Sequence, residues 1–323
     1  MHCKTRCWIT LLLLLCANAV FAQGWKPDRN VELVIPTSPG GSNDIAGRTI
    51  HKLLNDLKLL PVAINVVNRS GGEHNVAYTY VSQRNADAHT IGVMSTPMLV
   101  NAVEGRSPLT HNDVSPIAYL FTEPMIVLVR ADSPLKTGKE VIDALRKNPG
   151  ALSIALTSTG HRVSIGMPML KGGVTLKGVR MPAFKGGGET VTAVLGGHAD
   201  LLVTSVSTSV PHITSGQMRG LAVSSTKRLG GTLASVPTWQ ELGFQSSGSW
   251  KGVMGPKGIA PAQVAYWEDV MRRVSQSDEL RQYADQNQWL LEFKGAAETK
   301  KWLDDEFAAL KTAMTALGLV KQQ

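Results

Sequence analysis

Short apolar runs rich in β-branched residues alternate with segments of helical periodicity along most of this 323-residue chain. The runs predict strands at residues 31–35, 62–67, 90–94, 117–120, 125–129, 153–156, 199–204 and 221–224. Helices are predicted at residues 75–84, 139–147 and 190–195, from about Val163, and from Pro261. This alternation is typical of α/β proteins, so we expect two mixed, mostly parallel sheets with flanking helices.

The C-terminal part of the chain changes character, because its helical pattern becomes continuous. The final helix has an apolar stripe, which is typical of core packing rather than of a cofactor site, at Leu303, Phe307, Leu310, Met314 and Leu317. A long terminal helix that returns to an earlier sheet predicts a discontinuous first domain. We expect crossings near 122–124 and 224–237, with domain 1 at residues 23–123 plus 235–323 and domain 2 at 124–234.

The turn between the first strand and the next helix carries the strongest functional signal. Pro39, Gly40 and Gly41 end the apolar run, and glycine adopts positive φ angles without a steric clash. Ser42 or Asn43 is placed to cap the following helix. Amides at the start of a helix carry partial positive charge, so this turn predicts a pocket for a carboxylate. An ordinary strand–helix connection without a ligand is the alternative interpretation.

The first 22 residues have the pattern of a secretory signal peptide. Lys4 and Arg6 precede an apolar stretch at residues 9–15, which is too short to span a membrane, and residues 20–22 resemble a cleavage site. Leu15 before Cys16 does not fit a lipoprotein signal. All three cysteines lie in this leader, so we expect a mature chain without disulfides or cysteine metal sites, exported to an oxidising compartment.

The chain has a formal net charge of +8, from 33 basic and 25 acidic residues. Without Lys4 and Arg6 the basic residues number 31, which leaves a net charge of +6. The basic residues form no run and no strand interleaved with aromatic residues, so neither nucleic acid nor a membrane surface is a predicted partner. The scattered charge favours a solvated surface that mildly attracts anions.

Sequence motifs of common enzymes are absent, including the nucleophile elbow, the zinc-protease helix and the phosphate-binding glycine loops. The eight histidines do not cluster at metal-ligand spacing, so no metal and no cofactor are expected. Polar or glycine-rich turns instead follow six predicted strands, at residues 37–44, 70–75, 95–97, 157–161, 185–189 and 204–207. Ligands of open α/β sheets bind at such strand ends, and three turns fall in each predicted domain, so we expect them to face a common cleft.

The order and spacing of many short motifs resemble one known family across nearly the whole mature chain. The motifs include Pro39-Gly40-Gly41 with Asp44 and Arg48, Val67-Asn68-Arg69, Asp113 with Pro116-Ile117, Asn148-Pro149-Gly150, Lys185-Gly186 with Leu195-Gly196-Gly197 and Asp200, Leu221-Ala222-Val223, Val236-Pro237-Thr238, and Trp250-Lys251-Gly252 with Gly255-Pro256-Lys257-Gly258. Together they resemble the substrate-binding proteins of tripartite tricarboxylate transporters, also called Bug (Bordetella uptake gene) receptors.

This resemblance implies a periplasmic receptor with the type II binding-protein (Venus flytrap) fold, two lobes and a two-strand hinge. Such a receptor captures a small carboxylate and delivers it to membrane permease subunits; it is not an enzyme, and we expect a monomer. The ligand-binding residues expected in the first domain are Thr37, Ser38, Gly40, Gly41, Ser42, Asp44, Glu73, His74, Ser95 and Thr96. Those expected in the second domain are Thr157, Ser158, His161, Lys185, Gly186, Thr204 and Ser205.

Two loops depart from the family pattern and therefore change the expected pocket. Glu73 and His74 stand where the family usually has glycines, and the 157–161 turn is shorter than the corresponding family stretch. We hypothesise that the amides of Gly40, Gly41 and Ser42 bind the carboxylate, helped by a hydroxyl of residue 37 or 38. Glu73 and His74 would read a distal polar group of the ligand, or lie solvated on the loop rim.

Several interpretations remain open at the level of sequence. Asp44 either complements the positive end of its own helix or selects an amino group on the ligand. A carboxylate-sensing module that signals to a membrane kinase would have the same features as a transport receptor. A secreted hydrolase that uses Ser158 and His161 is a further alternative, as is a folded protein with an empty cleft. The particular carboxylate cannot be read from these residues.

Overall fold

The computed structural model describes residues 24–184, 186–244, 246, 248–316 and 318–320. The strands are β1 (Val31–Ile35), β2 (Ile64–Asn68), β3 (Thr90–Ser95), β4 (Val114–Glu123), β5 (Met125–Arg130), β6 (Ile154–Ala155), β7 (Leu201–Ser205), β8 (Met218–Val223), β9 (Ser249–Pro256) and β10 (Leu290–Lys294). The α-helices are α1 (Ser42–Asp56), α2 (Asn75–Ser82), α3 (Pro97–Val103), α4 (Gly138–Lys147), α5 (Thr159–Lys171), α6 (Gly187–Leu195), α7 (Val206–Thr214), α8 (Pro261–Gln276), α9 (Asp278–Asn287) and α10 (Ala296–Ala316). The predicted signal peptide lies outside the described residues.

Two mixed sheets organise these elements, as the predicted fold class requires. The first sheet has the strand order β10-β4-β9-β3-β1-β2, and the second has the order β6-β7-β5-β8. The expectation that most pairings are parallel is wrong, because β9 lies antiparallel between β3 and β4, and β5 lies antiparallel between β7 and β8. The two strands on either side of each inserted strand run parallel to each other, and both pair with the inserted strand in antiparallel fashion.

The chain passes between the sheets at the ends of long, buried strands. β4 ends at Glu123 and β5 begins at Met125, so only Pro124 separates a strand of the first sheet from a strand of the second. Pro124 lacks an amide hydrogen and cannot continue a ladder, which explains the break. β9 pairs with β4 up to this point, with Ser249 opposite Glu123. The two sheets therefore meet where β4 ends and β9 begins.

Buried apolar residues form cores on both faces of each sheet. On the first sheet, Trp267 of α8 is fully buried and its indole N–H donates to the Ala88 carbonyl at 2.8 Å. The segment after β8 packs on the second sheet, since Val236, Trp239 and Phe244 belong to its cores and Thr238 bridges to Val223. Helix α10 returns to the first sheet, with Leu303, Leu310 and Met314 buried as the apolar stripe predicts.

None of the helices in the described part of the chain is both long enough and apolar enough to cross a membrane.

Close packing of β9 between β3 and β4 predicts that Gly252 tolerates no side chain. A Cβ at residue 252 would lie 2.5 Å from the Ala118 carbonyl oxygen and 2.7 Å from the Met94 Cε. Because a backbone oxygen cannot move aside, Gly252→Ala should lower the free energy of unfolding by about 2–3 kcal/mol in denaturant titrations. Gly188→Ala, where no atom lies within 4 Å, is the control and should not destabilise the protein. Equal stability of the two variants would contradict this packing.

Candidate ligand-binding site

A small polar cavity lies where the strand ends of the two sheets meet. Residues of the first sheet and its helices contribute Thr37, Gly41, Ser42, Asn43, His74, Ser95, Pro97, Ser249 and Lys251 to its lining. Residues associated with the second sheet contribute Thr157, Ser158, His161, Gly186, Gly187, Thr204, Ser205 and Thr208. This inner cavity has a volume of about 30 Å³, which suits two or three waters or a single carboxylate group.

The turn before α1 is built differently from the sequence hypothesis. The Gly40 N–H donates to the Asp44 carboxylate at 2.9 Å, and the Gly41 N–H donates to the Ser38 carbonyl at 3.2 Å. Two of the three amides expected to hold an anion are therefore already engaged. The Ser42 and Asn43 amides have no partner among the described residues, because the intrahelical bonds of α1 begin at Asp44. The free amides of this turn are therefore that of Ser42, which is one of the three in the hypothesis, and that of Asn43, which is not.

Asp44 is buried and stabilises the turn from within. Besides the Gly40 amide, its carboxylate accepts from Arg48 Nε at 2.9 Å and from Asn68 Nδ2 at 2.8 Å. Asn68 also donates to the Thr37 carbonyl at 2.8 Å, which ties β2 to the same turn. These contacts favour the interpretation of Asp44 as a helix-start charge, and Asp44 does not line the inner cavity.

The N-termini of four helices, α1, α5, α6 and α7, face the inner cavity, and three of them have no side-chain cap on their first turn. Helices α1 and α6 begin after Gly41 and Gly186, which cannot provide a capping side chain. Helix α5 is capped by the Ser158 hydroxyl, which accepts from the His161 amide, and α7 begins after Ser205. The partial positive charges of these helix ends make the cavity favourable for an anion.

The first and second sheets approach closely at these helix starts. A Cβ built on Gly186 would lie 3.8 Å from the Ser38 Cβ, and one on Gly160 would lie 3.5 Å from the Thr96 Cγ2. The N-terminus of α6 therefore packs across from the turn before α1. The inner cavity lies between these helix starts, which explains why residues from both sheets line it.

A buried ion pair forms the floor of the inner cavity. Lys251 on β9 and Glu123 at the end of β4 are only 2% and 1% exposed, and Lys251 Nζ lies 3.2 Å from the Glu123 carboxylate. Lys251 also donates to Ser249 Oγ at 3.0 Å. The Glu123 carboxylate accepts from the hydroxyls of Ser42 on α1 and Ser207 on α7. One carboxylate thus joins elements of both sheets.

Electrostatics at this pair favour an ionised carboxylate. Burial alone would raise the pKa of Glu123, but Lys251 and the hydroxyls of Ser207 and Ser42 outweigh it and lower the pKa below its ordinary value. Burial lowers the pKa of Lys251, and the Glu123 carboxylate opposes that shift. Lys251 lines the cavity, so its ammonium is the positively charged group nearest to a bound anion there.

Two histidines line the same cavity and are uncharged at neutral pH. Burial, with Lys251 adding to it, lowers the pKa of His74 to about 3 and the pKa of His161 to about 4. His161 Nδ1 accepts from the Thr157 amide at 3.4 Å and contacts the Thr157 hydroxyl at 3.3 Å. These rings therefore offer neutral hydrogen bonds rather than positive charge.

Three polar atoms that line the inner cavity are buried without a hydrogen-bond partner among the described residues: Thr37 Oγ1, Asn43 Oδ1 and His74 Nδ1. An unpaired buried polar atom costs about 1–3 kcal/mol, so such atoms are rare unless a ligand or water pairs with them. Their convergence on one cavity is therefore a sign of a ligand site rather than of core packing.

The predicted residues divide clearly by position. Eleven of them line the inner cavity: Thr37, Gly41, Ser42, His74, Ser95, Thr157, Ser158, His161, Gly186, Thr204 and Ser205. Ser38, Gly40, Asp44 and Thr96 support the adjacent turns; the Thr96 hydroxyl, for example, accepts from the Trp250 amide at 3.2 Å. Glu73 lies on a neighbouring outer cavity, and Lys185 lies outside the described residues. That these residues bind ligand stays a prediction.

Six residues that line the cavity were not among the expected ligand-binding residues. Asn43, Pro97 and Gly187 lie within the predicted turns at 37–44, 95–97 and 185–189, whereas Thr208, Ser249, Lys251 and the Glu123 beneath the cavity lie outside all six turns. Two signals were present. Glu123 and Lys251 are charged residues inside apolar runs, and a charge buried in a strand requires an opposite charge nearby. The six predicted turns did not include the residues of β9, because that strand contains two glycines and a lysine.

The two mixed sheets, the strand crossings between them and the polar cavity at the crossing define the type II periplasmic binding-protein fold. Residues 50–319 match the family described as "Tripartite tricarboxylate transporter family receptor", and the chain belongs to this family. The resemblance drawn from the sequence motifs is thereby confirmed.

Individual relatives have low sequence identity to this chain but align with most of its length. The "UPF0065 protein in tcbD-tcbE intergenic region" of Pseudomonas sp. (strain P51) is 29% identical over 72% of this chain and 69% of its own length. BugT of Bordetella pertussis is 26% identical over 73% of each chain. The structure "R. palustris Rpa4515 with adipate" has 22% identity and a TM-score of 0.82 over 90% of this chain and 98% of its own, which shows the shared fold.

The buried ion pair predicts a pH-dependent loss of stability when its cation is removed. Lys251→Met should lower the free energy of unfolding by about 3–5 kcal/mol at pH 7, because Glu123 is left buried without its counter-charge. Without Lys251, burial raises the pKa of Glu123 above its unfolded value of about 4.3, so the penalty is full at neutral pH and shrinks as pH falls toward 4. Denaturant titrations at pH 7 and pH 4.5 measure this.

Two controls accompany that measurement. Glu123→Gln combined with Lys251→Met should recover part of the lost stability, since no charge is then buried alone. Lys300→Met, which breaks an exposed i,i+4 pair with Asp304, should change stability little. A pH-independent penalty, or an equal penalty at Lys300, would contradict the role of the buried pair.

Proposed function

We propose that this protein is a periplasmic receptor that captures a small carboxylate between two lobes and delivers it to a tripartite tricarboxylate-type transporter. One lobe would contain the first sheet and the other the second. We place the first crossing at Pro124, within the stretch 122–124 expected from sequence, because Pro124 alone separates β4 from β5. The packing of Trp239 and Phe244 on the second sheet supports a return crossing near Gly248 rather than at residue 235.

The observation that carries this proposal is the inner cavity, where helix N-termini and unpaired polar atoms converge beside Lys251. A carboxylate would accept from the Ser42 and Asn43 amides and from the Thr37 hydroxyl, and would approach the ammonium of Lys251. Neutral donors and helix ends bind an anion reversibly, because the protein does not have to desolvate a further Lys or Arg side chain to bind it. The Glu123 carboxylate keeps the floor of the cavity close to neutral.

Ligand capture would couple to lobe closure. Groups on both sheets line one small volume, so a bound acid makes more contacts when the lobes are together than when they are apart. A ligand shifts a conformational equilibrium by the difference in its affinity for the two states, so this difference would favour the closed form. The closed form would present the surface that a permease recognises.

Family membership supports the periplasmic location, the carboxylate class and the transporter partner. The neighbouring Rpa4515 structure is described with adipate, a dicarboxylate, and this is consistent with an acid ligand here. A monomeric receptor without a cofactor is sufficient for this function. A sensory role would use the same cavity, and loss of uptake of the acid by a deletion strain distinguishes transport from sensing.

Contacts at Ser158 and His161 do not favour the hydrolase alternative. The Ser158 hydroxyl caps α5 by accepting from the His161 amide, and the His161 ring contacts Thr157 instead. A nucleophilic serine requires a hydrogen bond to the histidine side chain that activates it. We therefore propose that the protein binds its acid without turnover.

A thermal-shift screen of mono-, di- and tricarboxylates and small aromatic acids tests the proposal. A ligand that binds only the folded protein raises the melting temperature in proportion to the logarithm of its concentration, once above its Kd. At least one acid should do so, and the matching amide or ester without a free carboxylate should not. A flat response to the whole panel would overturn the carboxylate assignment.

Thr37→Val tests the inner cavity with little risk to folding. The Thr37 hydroxyl has no partner among the described residues, so the nearly isosteric valine should leave the melting temperature without ligand unchanged or higher. Loss of a ligand hydrogen bond should weaken the affinity for the acid about 3- to 10-fold in calorimetric titration. Thr312→Val on the exposed side of α10 is the control. Unchanged affinity in Thr37→Val would place the carboxylate elsewhere.

A further inference from the structure

A second, larger cavity adjoins the inner one. This outer cavity has a volume of about 430 Å³ and is lined by Gly71, Gly72, Glu73, His74, Asn75, Arg106, Thr157, Ala183 and Phe184. His74 and Thr157 line both cavities. Since the inner cavity has room for little more than a carboxylate group, the space beside these two residues is available to the rest of a larger acid.

The backbone at this passage has an unusual conformation. Gly72, Glu73 and His74 have φ angles of +54°, +51° and +82°, a left-handed region that is unfavourable for side chains with a Cβ. Surrounding contacts impose it: Asn101 Nδ2 donates to the Glu73 carbonyl at 2.8 Å, and Arg106 Nη1 lies 2.6 Å from the Glu73 carboxylate. Strain of this kind persists where surrounding contacts hold the backbone in place, and it is concentrated at ligand sites.

The strained conformation directs the His74 ring toward the ligand space. The ring packs edge-on against Tyr78, with 6.3 Å between ring centroids and an interplanar angle of 84°. Tyr78 is itself held by Ser95, whose hydroxyl lies 3.1 Å from the Tyr78 hydroxyl. His74 is nine-tenths buried, yet its Nδ1 has no hydrogen-bond partner among the described residues. A ligand atom at the passage would supply that partner.

We propose that His74 is a specificity-determining residue that hydrogen-bonds an uncharged polar substituent, such as a hydroxyl, keto or amide group, on the chain of the bound acid. This inference rests on the proposed function, because it assumes that the carboxylate occupies the inner cavity. The acid would then extend past His74 and Thr157 into the outer cavity. The preferred ligand is thus a hydroxy-, oxo- or amido-substituted carboxylic acid.

The charges around the passage favour an uncharged substituent over a second carboxylate. Lys251 is paired with Glu123, and Arg106 is paired with both Glu73 and Glu104. Among the described residues, a second carboxylate beside His74 would therefore find only cations that are already paired, and it would approach the Glu73 carboxylate. A neutral imidazole, by contrast, can donate to or accept from a neutral group without burying charge.

Matched pairs of acids that differ by one hydroxyl group test the inference: propionate and lactate, butyrate and 3-hydroxybutyrate, and succinate and malate. Calorimetric titration of the mature wild-type protein should show tighter binding of the polar member of at least one pair. In His74→Gly that preference should fall about 3- to 10-fold, while the unsubstituted member binds within about twofold of wild type. Glycine suits φ +82°, so relief of backbone strain offsets part of the packing lost with the ring, and the variant should remain folded, as its melting curve without ligand checks.

Two further variants separate recognition from backbone effects. Lys58→Gly relieves the same kind of backbone strain (φ +50°) at an exposed residue that lines neither cavity, and should leave the preference for the polar acid unchanged. His74→Asn should retain part of the preference, because asparagine tolerates the left-handed region and carries an amide.

The outcomes distinguish this inference from the proposed function. Acids that bind wild type and His74→Gly with the same preference, or wild type that prefers no polar member, would overturn the role of His74 while leaving the receptor function intact. No binding of any acid to the wild-type protein would overturn the proposed function and this inference together. Loss of the preference in Lys58→Gly as well would show that the effect does not depend on the imidazole, and would also overturn it.

Discussion

The buried Glu123–Lys251 pair is the interaction on which the rest of this site depends. An ion pair removed from water is stable only when further hydrogen bonds satisfy its members, and Glu123 obtains them from Ser42 and Ser207 on opposite sides of the cavity. The pair therefore fixes the end of β4 against β9 and at the same time holds the starts of α1 and α7 near one carboxylate. Separation of the two sheets would break at least one of these bonds.

This arrangement gives the cavity a particular electrostatic character. Lys251 is neutralised from below by Glu123, and His74 and His161 are uncharged because burial beside an ammonium disfavours their protonation. What remains for a ligand is the field of several helix N-termini together with unpaired hydroxyl, amide and imidazole atoms. Such a site favours an anion without holding it as strongly as a pair of unneutralised cations would, which suits a receptor that must release its ligand.

Local patterns predicted much of the fold, and the reasons for the failures are physical. Strands such as 31–35 and 90–95 and helices such as 139–147 are marked by β-branched runs or helical periodicity, and the structure has them within a few residues. β9 was missed because Gly252, Gly255 and Lys251 interrupt its apolar pattern, although close contacts with Ala118 and Met94 require the glycine at 252. Pairing direction was misjudged because it depends on where a distant strand inserts, which local periodicity does not encode.

The candidate site was predicted in outline but not in its chemistry. Turns that follow strands identified most of the cavity lining, since strand ends of one sheet meet at a common edge. The engagement of the Gly40 amide by Asp44 could not be read from sequence, because it depends on side-chain geometry within a single turn. The contribution of Lys251 depends on contact with Glu123, 128 positions away in the chain, as the paired residue numbers show.

The central claim is that a carboxylate occupies the inner cavity between the two sheets. Its most direct test is a crystal structure of the protein with an acid that raises its melting temperature. In that structure, the carboxylate oxygens should lie within hydrogen-bond distance of the Ser42 or Asn43 amide and of the Thr37 hydroxyl, close to Lys251. An acid bound with its carboxylate outside this cavity, or contacting residues of one sheet alone, would contradict it.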